Sequence, residues 1–249
     1  VLLADTVAIV TGAASKRGIG RAIAALFAEH GARVALLDLD GPAAAAAAAG
    51  IGPAHRGYRC DVADEAAVQA AFAQAEAELG PAGVLVCNAG VSSPKRLEET
   101  TRAEYDRVMD ANLRGAYLCA QAALPQMRRL GRGSVIMMSS VSAKRGGGLF
   151  GASAYSAAKA GMLGLARALA RELAPERIRV NAVAPGLIDT DIFAGQLSPE
   201  RRAEIVAGVP LGRIGTPLDV ARACLFFASE LSDFITGEVM DVNGGLHID

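Results

Sequence analysis

Metal-binding and redox spacings are missing from this sequence. Its four cysteines, Cys60, Cys87, Cys119 and Cys224, lie far apart inside apolar runs, and no two have the short separation of a zinc or dithiol motif. Buried free thiols are the expectation, and no metal is expected. The three histidines, His30, His55 and His247, are equally scattered, so no Ser-His-Asp or Cys-His set competes for the chemistry. Charge of one sign is also lacking: Lys and Arg number 25 against 26 Asp and Glu, a net charge of -1. That balance gives no electrostatic footprint for nucleic acid or an anionic membrane. No apolar run reaches the length of a membrane span, and Val1–Asp5 lacks the regions of a signal peptide. A cytoplasmic location is therefore expected.

What is present is core-forming material, 52% hydrophobic residues in 249, arranged in alternating periods. Val7–Val10, Arg33–Leu37, a stretch ending near Cys60, Val84–Cys87, Ser134–Met138, Ile178–Val183 and Glu238–Val242 read as strands. Between them, Gly18–His30, Pro42–Ala49, Asp64–Leu79, Arg102–Met127, Ala154–Leu173, Pro199–Ala207 and Pro217–Ser229 read as helices. Continuous apolar strands alternating with amphipathic helices predict a parallel sheet covered on both faces. The Ala43–Ala49 tract is expected to be a small surface helix. No linker, charge run or repeat divides the chain, so residues 1–249 are expected to form one domain.

Between the first strand and first helix lies Thr11-Gly12-Ala13-Ala14-Ser15-Lys16-Arg17-Gly18-Ile19-Gly20. Glycines there allow a tight turn (Gly12), close approach to a pyrophosphate (Gly18) and close helix packing (Gly20). The helix that follows aims its unpaired N–H groups at an anion. Asp38 ends the second strand about twenty residues further on, where a carboxylate accepts hydrogen bonds from adenosine ribose hydroxyls. A carboxylate facing a 2′-phosphate at ~4 Å costs on the order of 4 kcal/mol per charge pair near a surface. NAD(H) is therefore the preferred cofactor, while Lys16 and Arg17 keep NADP(H) open.

From Asn88-Ala89-Gly90 onward the sequence resembles the classical short-chain dehydrogenase/reductases. The resemblance continues through Asn112, Ser139-Ser140, Tyr155-Ser156-Ala157-Ala158-Lys159, Pro185-Gly186-Leu187-Ile188-Asp189-Thr190, Arg213-Ile214-Gly215-Thr216-Pro217 and Ile235-Thr236-Gly237 to Gly244-Gly245. It implies a Rossmann-like, doubly wound α/β fold with seven parallel strands in the order 3-2-1-4-5-6-7. It also implies that Gly12, Ser15, Arg17, Gly18, Ile19 and Gly20 form the phosphate loop, with Asp61 and Val62 beside the adenine. Asn88, Ala89 and Gly90 would line the cofactor cleft with Pro185 and Gly186, and Ile188 and Thr190 would hold the carboxamide. In one respect the sequence departs from the family, where three residues separate the first two loop glycines; here five separate Gly12 from Gly18.

Tyr155 and Lys159 are four apart on a predicted helix and so share a face. Tyrosine with a pKa of about 10 is a poor base at neutral pH, and a neighbouring ammonium favours its phenolate. The resemblance makes Tyr155 the general acid/base, Lys159 its partner and a ribose ligand, Ser140 the donor to the substrate oxygen, and Asn112 the anchor of a proton relay. The family's usual serine-to-tyrosine count selects Ser142 instead. Ser140 is preferred because it falls directly past a strand end, with Ser142 as a pocket neighbour. Gly146–Ser153 and Asp191–Pro210 are expected to set the substrate, a small or medium secondary alcohol, polyol or hydroxy acid. A 3-oxoacyl-carrier-protein reductase using NADPH is the alternative, and a dinucleotide-sensing protein without turnover a third reading. An enoyl reductase fits less well, since its Tyr and Lys are spaced more widely. Small residues on Arg102–Met127 and Ala154–Leu173, among them Ala116, Ala120, Ala157, Gly161 and Gly164, equally suit packing on the chain's own sheet and the pairing of these helices between subunits that the resemblance implies, and a homotetramer is expected.

Overall fold

The computed structural model describes residues 1–149, 151–191 and 198–248. Its strands are β1 (Val7–Thr11), β2 (Arg33–Asp38), β3 (Arg56–Arg59), β4 (Val84–Cys87), β5 (Gly133–Met138), β6 (Ile178–Pro185) and β7 (Val239–Val242). They form one seven-stranded sheet in the order β3-β2-β1-β4-β5-β6-β7, and every pairing is parallel. The helices are α1 (Ile19–Glu29), α2 (Gly41–Ile51), α3 (Glu65–Leu79), α4 (Arg102–Met109), α5 (Gly115–Leu130), α6 (Ser142–Arg145), α7 (Ser153–Leu173), α8 (Pro199–Ala207) and α9 (Pro217–Ala228).

The pleat of β1 shows why helices cover both faces. Val7 and Ile9 enter one core cluster with Phe72, Met127 and Met162, which come from α3, α5 and α7. Ala8 and Val10 enter the other with Ile23, Phe27 and Phe227, from α1 and α9. Side chains alternate across a strand, so a strand buried on both faces is apolar along its length, as β4 is and as β1 is up to its terminal Thr11. Helix starts follow local chemistry: Asp64 accepts from the backbone N–H of Ala66 (2.9 Å) and Ala67 (3.3 Å) to cap α3. Thr216 and Asp219 form a capping box on α9.

Three expectations gain detail. The helix expected over Arg102–Met127 runs without a gap as far as Leu130, and inside it a π-helical turn, Asp110–Arg114, joins α4 to α5. Its cause is visible at Asn112, whose amide Nδ2 donates to the Val108 carbonyl (2.8 Å), the acceptor an α-helix reserves for the Asn112 backbone N–H. The Gly115 N–H correspondingly reaches Asp110, five residues back. The alanine tract is the expected surface helix, with Ala44, Ala47 and Ala48 buried on one face and Ala45, Ala46 and Ala49 exposed on the other. Finally, several small residues expected at a subunit interface serve the chain itself. Ala116 and Ala120 are buried in the first core cluster, and a Cβ on Gly161 would meet Leu113 at 2.8 Å. Ala157, Ala160, Gly164 and Ala168 remain exposed along α7.

Candidate active site

Parallel strands all end at one edge, and the loops leaving that edge surround a cleft of about 950 Å³. Its lining takes Gly12, Ser15, Gly18 and Ile19 from the loop after β1, Asp38 and Leu39 after β2, and Cys60, Asp61 and Val62 after β3. Asn88, Ala89 and Gly90 follow β4, and Ser139, Ser140 and Ser142 follow β5. Tyr155 and Lys159 enter from α7, Asn112 from the π turn, and Pro185, Gly186, Ile188 and Thr190 from the end of β6. Of the residues singled out in the sequence, the structure leaves Arg17 and Gly20 outside this lining. The Arg17 guanidinium is turned to Asp189 (2.7 Å). Gly20 packs against the loop's own turn, where a Cβ would run into the Gly12 carbonyl oxygen.

The phosphate loop is braced from β4. Gly12 takes φ +65°, and a Cβ there would meet Ala89 Cα at 2.8 Å, so glycine is required twice over. The buried Thr11 hydroxyl accepts from the N–H groups of Asn88 (3.0 Å) and Ala89 (2.9 Å) and donates to the Val86 carbonyl (3.3 Å). Asn88 Nδ2 returns two bonds, to the carbonyls of Thr11 and Gly12 (2.9 Å each). Helix α1 begins at Gly18 with no side-chain cap, which leaves its first N–H groups facing the cleft for an anion. Asp38 accepts from the Ala14 N–H (2.9 Å) and the Asp40 N–H (3.2 Å), bonds that fix its carboxylate at the rim. These features fit a dinucleotide.

Lys159 is the most constrained group. Its buried Nζ donates to the Met138 carbonyl (2.7 Å) and lies 5.7 Å from the Tyr155 ring centroid. Burial pushes its pKa down to about 8. Burial also raises the Tyr155 phenol, and a side-chain hydrogen bond with Ser140 works the other way. In the chain by itself, therefore, burial outweighs the Ser140 contribution, and Tyr155 is raised where its lysine was expected to lower it. Ser140, rather than Ser142, is the serine whose side chain lowers the Tyr155 phenol, and Ser140 Oγ accepts from the Ser142 N–H (3.1 Å). Asn112 Nδ2 also donates to the Val91 carbonyl (2.9 Å), whereas its buried Oδ1 has no hydrogen-bond partner among the described residues. A Cβ on Gly90 would strike that Oδ1 and approach Lys159 Nζ to 3.4 Å, so Asn112, Gly90 and Lys159 share one wall.

Sequence reasoning missed Thr11, Met138 and Ser139. Ser139 Oγ donates to the Lys159 backbone carbonyl (2.8 Å), tying α7 to the end of β5. The signal was present in the Ser139-Ser140 pair, since successive residues past a strand point opposite ways. Ile188 and Thr190 are held by a parallel bridge between Ile188 and Gly215, inside the 213–217 motif. Of the expected substrate segments, Phe150 and residues 192–197 lie outside the described residues. Among the described residues no group of three or more His, Cys, Asp or Glu could hold a metal ion, and no helix is long and apolar enough to cross a membrane. Burial pushes the thiols of all four cysteines above their ordinary range.

A doubly wound parallel sheet with a glycine-rich loop after β1 and a Tyr-Lys pair at its open edge defines a Rossmann-like dinucleotide-binding protein. A family model described as Enoyl-(Acyl carrier protein) reductase matches residues 12–247. An uncharacterized short-chain type dehydrogenase/reductase of Sinorhizobium fredii is 52% identical over all of both chains. A cis-4-hydroxycyclohexanecarboxylate dehydrogenase of Sinomonas cyclohexanicum is 43% identical, covering 97% of this chain and 96% of that one. A 3-oxoacyl-[acyl-carrier-protein] reductase of Chlamydia muridarum is 40% identical over 98% of each. The crystal structure of a short-chain dehydrogenase/reductase from Brucella melitensis, described as a glucose/ribitol dehydrogenase, superposes with a TM-score of 0.91 at 33% identity, covering 99% and 98%. The chain belongs to the short-chain dehydrogenase/reductase family of oxidoreductases.

The lysine's burial has a measurable consequence. A lysine held near pKa 8 when folded and 10.5 when unfolded binds fewer protons in the folded state between those values. Stability therefore rises with pH through that window, by about 3 kcal/mol at most. Lys159→Met removes the cost, so it should be more stable than the parent at pH 7, with the gap closing as pH rises past about 8. Urea unfolding of both proteins between pH 7 and 10 measures this, and a gap independent of pH would contradict it.

Proposed function

We propose that this chain transfers a hydride between a nicotinamide dinucleotide, NAD(H) by preference, and a secondary alcohol or ketone, with Tyr155 as general acid/base. The observation that carries the reading is the convergence of Tyr155, Ser140 and Lys159 on one cleft, with the buried Lys159 amine 5.7 Å from the tyrosine ring. When bound, the nicotinamide supplies the hydride acceptor or donor. In oxidation the alcohol carbon loses a hydride with its electron pair and the hydroxyl loses a proton, which leaves a ketone, a reduced cofactor and one proton. Ser140 orients the alcohol oxygen, and Tyr155 takes its proton. Lys159, mostly protonated at neutral pH, supplies positive charge that favours the phenolate. Asn112 Oδ1, buried beside the lysine wall, is the acceptor through which a proton relay toward Lys159 would be anchored.

The rest of the site supports the same assignment. Gly12, Ser15, Gly18 and Ile19 would hold the pyrophosphate, Asp38 the adenosine ribose, and Asp61 and Val62 the adenine. Asn88, Ala89, Gly90, Pro185 and Gly186 would wall the nicotinamide end, where Ile188 and Thr190 receive the carboxamide and Lys159 the second ribose. The relative named for cis-4-hydroxycyclohexanecarboxylate favours a hydroxy acid among the candidate alcohols. The carrier-protein reductases among the relatives favour a second reading, reduction of a 3-oxoacyl thioester with NADPH. A purely sensory role leaves the Tyr155, Ser140 and Lys159 arrangement without a purpose.

Tyr155→Phe should abolish turnover and leave dinucleotide affinity within a few-fold, and Ser140→Ala should lower kcat by on the order of a hundredfold. Steady-state rates with NAD⁺ and a secondary-alcohol panel, with calorimetric binding of NAD⁺, test both. If Ser142→Ala suffers that loss while Ser140→Ala stays active, the serine assignment falls.

Cofactor choice rests on Asp38, whose carboxylate is fixed in the cleft, against Lys16 and Arg17, which do not line it. We expect kcat/KM to favour NAD(H) by tenfold or more, and Asp38→Ser to narrow the ratio at least tenfold. A tenfold preference for NADP(H) in the parent protein would reverse the conclusion and strengthen the thioester reading.

Assembly is argued from α7, whose outer face carries Ala157, Ala160, Gly164 and Ala168, with exposed Tyr105 and Tyr117 on the neighbouring α4 and α5. A Cβ on Gly164 would meet nothing within 4 Å. Two copies pairing on this face, and a second contact elsewhere, would make the homotetramer. Light scattering should show four chains, and Gly164→Arg a smaller species; a monomeric parent at micromolar concentration would end the idea.

A further inference from the structure

We infer that Arg145 recognises a carboxylate on the substrate, so that the alcohol oxidised is one carried by an apolar hydroxy acid. This rests on the alcohol-oxidoreductase reading and narrows it. Helix α6 is a single turn directly past the catalytic serine's strand, and the two cations at its end part company. Lys144 is nearly buried and pairs with Asp241 of β7 (2.6 Å), which pins the turn to the sheet edge. Arg145 is exposed and lines the cleft together with Ser142, Gly146, Leu149, Leu187 and Leu246.

The surroundings of Arg145 explain what it can bind. Its guanidinium donates from Nη1 to the Leu246 carbonyl (3.3 Å), and among the described residues it pairs with no carboxylate. A guanidinium has five N–H donors in a fixed fork that matches a carboxylate bidentately. The other charged residues of the cleft lie elsewhere: Asp38 and Asp61 at its adenosine end, Asp191 against Ser15, and Lys159 buried beside Tyr155. Around Arg145 the wall is glycine and leucine. Such a pocket end suits one anionic group on an otherwise apolar frame, and a polyol would leave its hydroxyls facing leucine side chains.

The test compares 4-hydroxycyclohexanecarboxylate with its neutral carboxamide as substrates under NAD⁺, and measures cyclohexanecarboxylate binding by calorimetry in the presence of NAD⁺. In the parent protein the acid should exceed the amide in kcat/KM by tenfold or more. Arg145→Gln should lower the acid at least tenfold, mainly through KM, with a far smaller loss for the amide, and should weaken cyclohexanecarboxylate at least fivefold. Arg145→Lys, a point charge without the fork, should recover part of each. Equal use of acid and amide by the parent, equal losses of both in Arg145→Gln, unchanged carboxylate binding, or better use of a neutral 3-oxoacyl N-acetylcysteamine thioester would each overturn the assignment. Arg145-dependent carboxylate binding without turnover of any alcohol would instead overturn the oxidoreductase reading and leave Arg145 standing. Absence of both binding and turnover overturns the two together.

Discussion

A protonated amine cannot be buried in a protein core without a partner, and the chain solves this problem at Lys159. The Met138 carbonyl takes one N–H, and α7 is held at the right height by Ser139, whose hydroxyl binds the Lys159 carbonyl. Both acceptor and donor sit at the end of β5, so the position of the amine depends on where that strand stops. β5 lies between β4 and β6 in the sheet, and its backbone past Met138 is tied onward, with Ser139 N–H to Val183 and Val141 N–H to Pro185 (2.8 and 2.9 Å). An unpaired buried charge costs several kcal/mol, so the fold is committed to this geometry before any ligand arrives. Ser140 inherits the same rigidity, which a group polarising a substrate oxygen requires.

Two other local devices work by letting side chains replace backbone bonds. At Asn112 the amide takes over an acceptor of the helix, and the resulting π turn leaves Oδ1 facing the lysine wall. At Thr11 and Asn88 the exchange joins two parallel strands beyond the end of their ladder, where the loops would otherwise splay apart. In both cases an asparagine amide takes a backbone acceptor where the regular hydrogen-bond pattern changes.

Much of this was legible in the residues. Strands such as Val84–Cys87 were readable because burial on both faces demands an unbroken apolar run, and the sheet order followed from the family resemblance carried by the Asn88, Tyr155 and Pro185 segments. The π turn at Asp110–Arg114 was not readable, because Ala111, Leu113 and Ala116 keep helical composition across it and the cause is one asparagine's choice of acceptor. The short α6 hid behind Gly146-Gly147-Gly148, whose composition suggested loop, though Lys144 and Arg145 before it are anchored to the C-terminal segment. Small residues were ambiguous for a general reason. Alanine and glycine permit close packing on either side of a helix, and only coordinates separate Ala120, turned to the sheet, from Gly164, turned away.

The lengthened phosphate loop illustrates how an insertion can leave a binding cradle intact. Gly12 and Gly18 keep their places, because Asn88 holds the first and α1 begins at the second. The added length is spent outward, where Ser15 and the Arg17 N–H meet Asp191, and the Arg17 guanidinium joins Arg202 on Asp189. Arg17 is thereby withdrawn from the cleft, and the Asp38 carboxylate is held at the rim by the backbone N–H groups of Ala14 and Asp40. Exposed pairs of this kind are each worth about 0–1 kcal/mol. They bridge the cofactor loop to the segment after β6, yet at that strength they yield to any ligand that binds more tightly than the bridge. The constraint on the dinucleotide half is thus carried by backbone and buried side chains, and the substrate half is joined to it by contacts that can be exchanged. In a fold divided in this way, residues at the rim of the cleft such as Arg145 can change without disturbing Lys159.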